Sequence, residues 1–68
     1  KVAAKYFLRL TESFPNNGRY FASYGLALSS QGKYIEAKSF LNKAIQLGGL
    51  DQTLENNVEH ILGVLSRS

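Results

Sequence analysis

The chain predicts an all-α fold of four helices, and three observations carry that expectation. Apolar residues advance by three and four positions in four successive stretches, the spacing of a helix with one buried face. Helix breakers stand between the stretches: Pro15, then Gly32, then Gly48-Gly49. A ladder of small and bulky residues also repeats at an interval of 34: Ala3, Phe7, Leu10 and Pro15 return as Ala37, Leu41, Ala44 and Gly49. A constant period of this length marks stacked copies of one supersecondary unit.

The first helix is expected from about Val2 to Ser13, with Ala3, Tyr6, Phe7, Leu10 and Phe14 on one stripe. Pro15 ends it, because the residue before a proline is pushed out of helical backbone angles. Asn16-Asn17-Gly18 offers turn chemistry and a cap for the second helix, about Gly18 to Ser30. There Phe21, Tyr24, Gly25 and Leu28 fall at i, i+3, i+4 and i+7. Gln31-Gly32-Lys33 makes a short turn in which Gly32 takes positive φ at little cost, so the third helix must return antiparallel. That helix, about Tyr34 to Leu47, carries Ala37, Phe40, Leu41, Ala44, Ile45 and Leu47. Gly48-Gly49 then stops it where the first copy used proline. Asp51 is the expected cap of a fourth helix striped by Leu54, Val58, Ile61, Leu62 and Leu65, polar elsewhere.

Sixty-eight residues make one small domain, and a chain of this length buries only about 60% of its unfolded surface. With no cysteine, neither a disulfide nor a thiolate metal site can staple it. A hydrophobic share of 44% argues against disorder. No apolar run is long enough to span a bilayer, so no membrane insertion is expected. Lys1 at the start reads as an excerpt of a longer or processed protein. The net charge is +3, and the bases crowd the N-terminal part, where Lys1, Lys5, Arg9, Arg19, Lys33, Lys38 and Lys43 face only Glu12 and Glu36. Such asymmetry favours an acidic partner on that part.

Phe21-x-x-Tyr24-Gly25-x-x-Leu28, Gly32, and the ladder Ala37, Leu41 and Ala44 resemble the tetratricopeptide repeat (TPR) family. The preceding half-repeat matches at Ala3, Phe7 and Pro15. Tyr24, Leu28, Leu41 and Gly49 replace the leucine, tyrosine, aromatic and proline of the family pattern. The resemblance covers residues 1 to about 49. It implies a short right-handed superhelix of stacked antiparallel helix pairs. Residues 1–14 would be the second helix of a preceding repeat, 17–49 a full repeat, and 51–66 a capping or degenerate helix. Beyond residue 49 the register stays open. A step of 34 sets Val58 and Glu59 on Tyr24 and Gly25, whereas four more residues set Leu62-Gly63 there and Ser66 on Leu28. The wet faces of the fourth helix favour a cap.

The small residues have a direct physical reading. Gly25, Ala37 and Ala44 let helix backbones approach to packing distance, while Phe7, Phe21, Tyr24 and Leu41 fill the space between crossings.

With Phe21 as reference on the second helix, Arg19, Ala22, Leu26, Ser29 and Ser30 fall between about 80° and 180° away. In TPR proteins the first helix of each repeat lines a concave groove, so the resemblance assigns this flank to partner binding. Its small, partly apolar surface with one cation suits an extended or helical segment with an apolar anchor and an acidic group. Ala22 and Leu26 stand where some TPR domains place a carboxylate clamp, which this chain therefore lacks. The alternative is that the flank is solvated or covered by a neighbouring repeat.

Other chemistry is sparse. Lys1, Lys5 and Arg9 step along one face of the first helix, but without interleaved aromatics they read as a solvated stripe, not a nucleic-acid surface. His60 with Glu55 and Glu59 lacks the donor set of a metal site, and Ser66 and Ser68 are the only serines near it. No phosphate loop accompanies Gly48-Gly49. The expectation is a protein- or peptide-binding module with no catalysis, no metal and no cofactor. A self-assembling scaffold is the alternative, since the first helix lacks an antiparallel partner and leaves Val2 and Tyr6 open to a second copy.

Overall fold

Gly18 begins the helix pair on which everything else packs. A computed structural model of the chain describes residues 2–67, with side chains from residue 4 onward. Lys1 and Ser68 lie outside the described residues, as do the side chains of Val2 and Ala3. Four helices follow in order: α1 (Val2–Ser13), α2 (Gly18–Ser30), α3 (Tyr34–Leu47) and α4 (Gln52–Arg67), with no strand among the described residues.

Each boundary has a local cause. The Asn17 side chain caps α2 by accepting the Arg19 amide at 3.0 Å. Asp51 does the same for α4, where the Leu54 amide donates to its carboxylate at 2.7 Å. Both contacts satisfy amides that a helix start leaves without partners. Gly32 turns the chain at φ 83°, and Gly48 closes α3 at φ 76°, backbone that a side chain would strain. Lys33 precedes α3 without a side-chain cap.

The α2–α3 pair is antiparallel and close. The start of α2 meets the end of α3, because a Cβ at Gly18 would lie 2.9 Å from the Ala44 carbonyl oxygen and collide with that of Gly48. Midway, a Cβ at Gly25 would fall 2.7 Å from the Leu41 side chain. Phe40 sits against two rings of α2, stacked on Phe21 at 5.9 Å and edge-on to Tyr24 at 4.7 Å. Gly25 therefore serves the close crossing its ladder position suggests. Gly18 does more than turn the chain: its bare backbone is what admits the end of α3.

α4 folds back across this pair. Val58 joins Ala22, Leu41 and Ala44 in a fully buried cluster, and Leu26, Leu54, Ile61 and Leu62 pack around it. Burying Leu41 and Val58 completely contributes roughly 1.5–3 kcal/mol each. Ile45 departs from its expected stripe and reaches solvent, since it lies about 80° around α3 from Ala37.

α1 lies on the other side of α2, and its buried face is not centred on the expected stripe. Thr11 is its buried residue, with the hydroxyl donating to the Leu8 carbonyl at 2.7 Å. Phe7 and Leu10 are half-buried, whereas Tyr6 and Phe14 are exposed. The reason is coverage: α2 packs on the Thr11 side of α1, and no described element packs on the Tyr6 side.

Candidate partner-binding surfaces

The five residues expected to line a groove on α2 do not share one fate. Ala22 is 0% exposed, a correction to its expected place on an accessible flank. Its small side chain is what lets α4 settle there, with Val58 in the same cluster. Leu26 and Ser29 are half-buried, and Leu26 packs against that cluster. Arg19 and Ser30 are exposed, although the Ser30 hydroxyl is turned back onto the Ala27 carbonyl at 2.8 Å. What remains open are the two ends of the flank, at Arg19 and at Ser30.

The ladder residues sit where small or bulky groups are needed. Ala37, Leu41, Ala44, Gly25 and Leu28 are buried, Phe21, Tyr24 and Phe7 half-buried, and Pro15 and Gly32 exposed at their turns. Ala3 is helical, its side chain outside the described residues.

Arg19 borders a depression of about 260 Å³ between α1 and α2, lined also by Tyr6, Phe7, Leu10 and Tyr20. Tyr6 is 60% exposed, its ring centroid 5.8 Å from that of the neighbouring Phe7. Phe14, 52% exposed, leans on Tyr20 at 5.5 Å. Three aromatic residues, an apolar lining and one cation thus share an open face, chemistry suited to holding a partner. Sequence reasoning placed Tyr6 on an uncovered helix but did not join it to Arg19 or Tyr20, since that needs the tilt of α1 on α2.

A second depression of about 270 Å³ lies at the opposite end of the α1–α2 contact. Ala4, Leu8, Tyr24 and Leu28 line it between Lys5, Gln31 and Lys33. Beyond Lys33 the surface continues over Tyr34 and Ile35 to Lys38 and Leu65. Ile35, a large apolar side chain, is 89% exposed.

His60, Glu59 and Arg67 stand on the wet side of α4, and the Arg67 guanidinium donates to the Gly63 carbonyl at 3.2 Å. Among the described residues, no three acidic, histidine or cysteine side chains gather as a metal site would require. No buried side-chain nitrogen or oxygen among them lacks a hydrogen-bond partner. No described helix is long and apolar enough to cross a membrane. No family model, no curated protein and no solved structure matches the chain.

Proposed function

We propose that the protein is a non-catalytic interaction module of the TPR kind, in which a partner segment covers the open aromatic face of α1 and α2. The observation that carries this reading is one pair of residues 34 positions apart. Phe40 packs against Phe21 and Tyr24 of α2, stacked on the first and edge-on to the second. Tyr6, its counterpart in the earlier copy, is solvent-exposed beside Arg19. Among the described residues no helix covers the Tyr6 ring as α2 covers Phe40, and a protein segment with an apolar anchor and an acidic group fits that face.

A second correspondence supports the stacking of repeats. Ala4 of α1 and Gln31 at the end of α2 line one depression, and Lys38 of α3 and Leu65 of α4, each 34 positions on, line another. This supports a reading in which α4 relates to α3 as α2 relates to α1, in the register that pairs Val58 with Tyr24. A right-handed superhelix of antiparallel pairs, with α4 closing the stack, accounts for both correspondences.

The test is an NMR shift titration with proteins captured from the source cell, compared between the native chain and Tyr6→Ser. Shifts at Phe7, Arg19 and Tyr20 that vanish in the variant are expected, and a genuine partner that leaves all three unmoved removes the proposal. The same open face also suits a second copy, the scaffold reading. Sedimentation separates the two: a concentration-dependent dimer lost in Tyr6→Ser favours self-assembly, a monomer that binds other proteins favours the module.

A further inference from the structure

We propose that the end of the molecule bearing the α2–α3 turn binds an extended acidic segment with interspersed apolar side chains. The site is independent of the Tyr6–Arg19 face. Three shallow depressions of about 270, 300 and 280 Å³ lie in a row there. Lys33 borders the first two, and Tyr34 with Ile35 borders the last two, so they form one continuous band. Each lies at or just below the lower size limit of a small-molecule pocket.

Charge selects the occupant. Lys5, Lys33 and Lys38 punctuate the band, and among the described residues Glu36 is the one acidic side chain lining it. Among the described residues, none of the three lysines is held in an ion pair. Between them lie apolar surfaces: Leu28 and Tyr24 in the first depression, Ile35 in the middle, Leu65 in the last. A helix rises only about 1.5 Å per residue, so it needs about twice as many residues as an extended strand to follow the band. An extended strand, with alternate side chains facing the surface, reaches all the depressions. The longest dimension of the molecule is 32 Å, so about ten extended residues are the most the band accommodates.

The probe is a ten-residue peptide capped at both ends, Leu-Ser-Asp-Ser-Ile-Ser-Glu-Ser-Leu-Ser, which sets apolar and acidic side chains alternately on one face of a strand; it is titrated into the native chain and followed by amide shifts. Shifts are expected at Lys5, Lys33, Ile35 and Lys38, with affinity falling about tenfold between low and physiological salt as exposed charge pairs are screened. The double variant Lys33→Glu/Lys38→Glu should weaken binding at least about tenfold with an unchanged circular dichroism spectrum, because both side chains are exposed. Tyr6→Ser should leave this binding intact, which separates failure here from failure of the module reading. Absence of shifts, equal binding of a peptide with Asn and Gln in place of the acids, or shifts confined to Tyr6 and Phe14 would each overturn the proposal. So would phosphatidylserine vesicles moving Tyr34 and Ile35 while the peptide moves nothing, an outcome that assigns the surface to lipid.

Discussion

α1 and α3 carry the same ladder of residues 34 positions apart and end in different states. In α3 the ladder is sealed: Ala37, Leu41 and Ala44 are all buried, gripped by α2 on one side and α4 on the other. In α1, Phe7 and Leu10 are only half-buried, and Tyr6 and Phe14 stand in solvent. The difference lies in the number of neighbours, not in the helix. A ladder encodes the shape of a face, and a second helix must arrive before that shape becomes a core.

The largest effect should therefore come from truncating the sealed ladder. Leu41→Ala is expected to lose about 3 kcal/mol or more, through lost burial plus a cavity that α2 and α4 cannot both collapse. A domain of this size has on the order of 5 kcal/mol in total, so the variant should keep only about 2 kcal/mol and unfold at less than half the native urea midpoint. Phe7→Ala, at the corresponding place in α1, removes a bigger side chain but should lose only about 1–2 kcal/mol, because half its surface is already wet. Urea denaturation compares the two, and a Phe7 variant at least as damaging as the Leu41 one would break the contrast.

Next come two glycines that sequence alone ranks alike. At Gly18 an added methyl would be driven into the Ala44 and Gly48 carbonyl oxygens, backbone atoms that cannot swing aside. Gly18→Ala should lose about 2–3 kcal/mol, outweighing the roughly 1 kcal/mol that alanine gains in helix propensity. At Gly63 the nearest atom to an added Cβ is the mobile end of Arg67, at 4.0 Å. Gly63→Ala should accordingly stabilise the chain by about 0.5–1 kcal/mol. Thermal melts of both variants test the pair, and a shared direction of change would mean that the approach of α3 to α2 is looser than described.

These contrasts also show what the sequence discloses. The helix limits were legible because Pro15, Gly32, Gly48-Gly49, Asn17 and Asp51 act within a turn of themselves, where local backbone chemistry suffices. The close approach at Gly25 was legible too, since small residues at helical spacing leave few other uses. Ala22 was not. A helical wheel orders side chains by angle, but whether an angle points to water depends on where α4 returns, and that is set by residues more than 30 positions away. Gly18 was read as turn chemistry for a related reason. Its neighbour in space is the far end of α3, and nothing in the adjacent sequence announces that approach. The joining of Tyr6, Phe14 and Tyr20 into one face with Arg19 likewise depends on how two helices lie across each other. Local signals survive in a single sequence, whereas coverage by distant elements does not.

The smallest change in stability should accompany the largest change in behaviour. Tyr6 contributes one ring contact within its own helix and little buried area, so Tyr6→Ser should shift stability by no more than about 0.5 kcal/mol. Phe40→Ser, at the matching rung of α3, removes contacts with Phe21 and Tyr24 together and should lose about 2–3 kcal/mol. A residue that folding does not need, yet that holds an aromatic ring in water, is explained if a partner covers it. Binding should fall in Tyr6→Ser without a change in the urea midpoint, whereas Phe40→Ser should lower the midpoint and reduce binding only in proportion to the unfolded fraction. If Tyr6→Ser instead unfolds the chain as readily as Phe40→Ser does, the Tyr6 side of α1 is core rather than contact surface, and the comparison between the two helices fails at its most sensitive point.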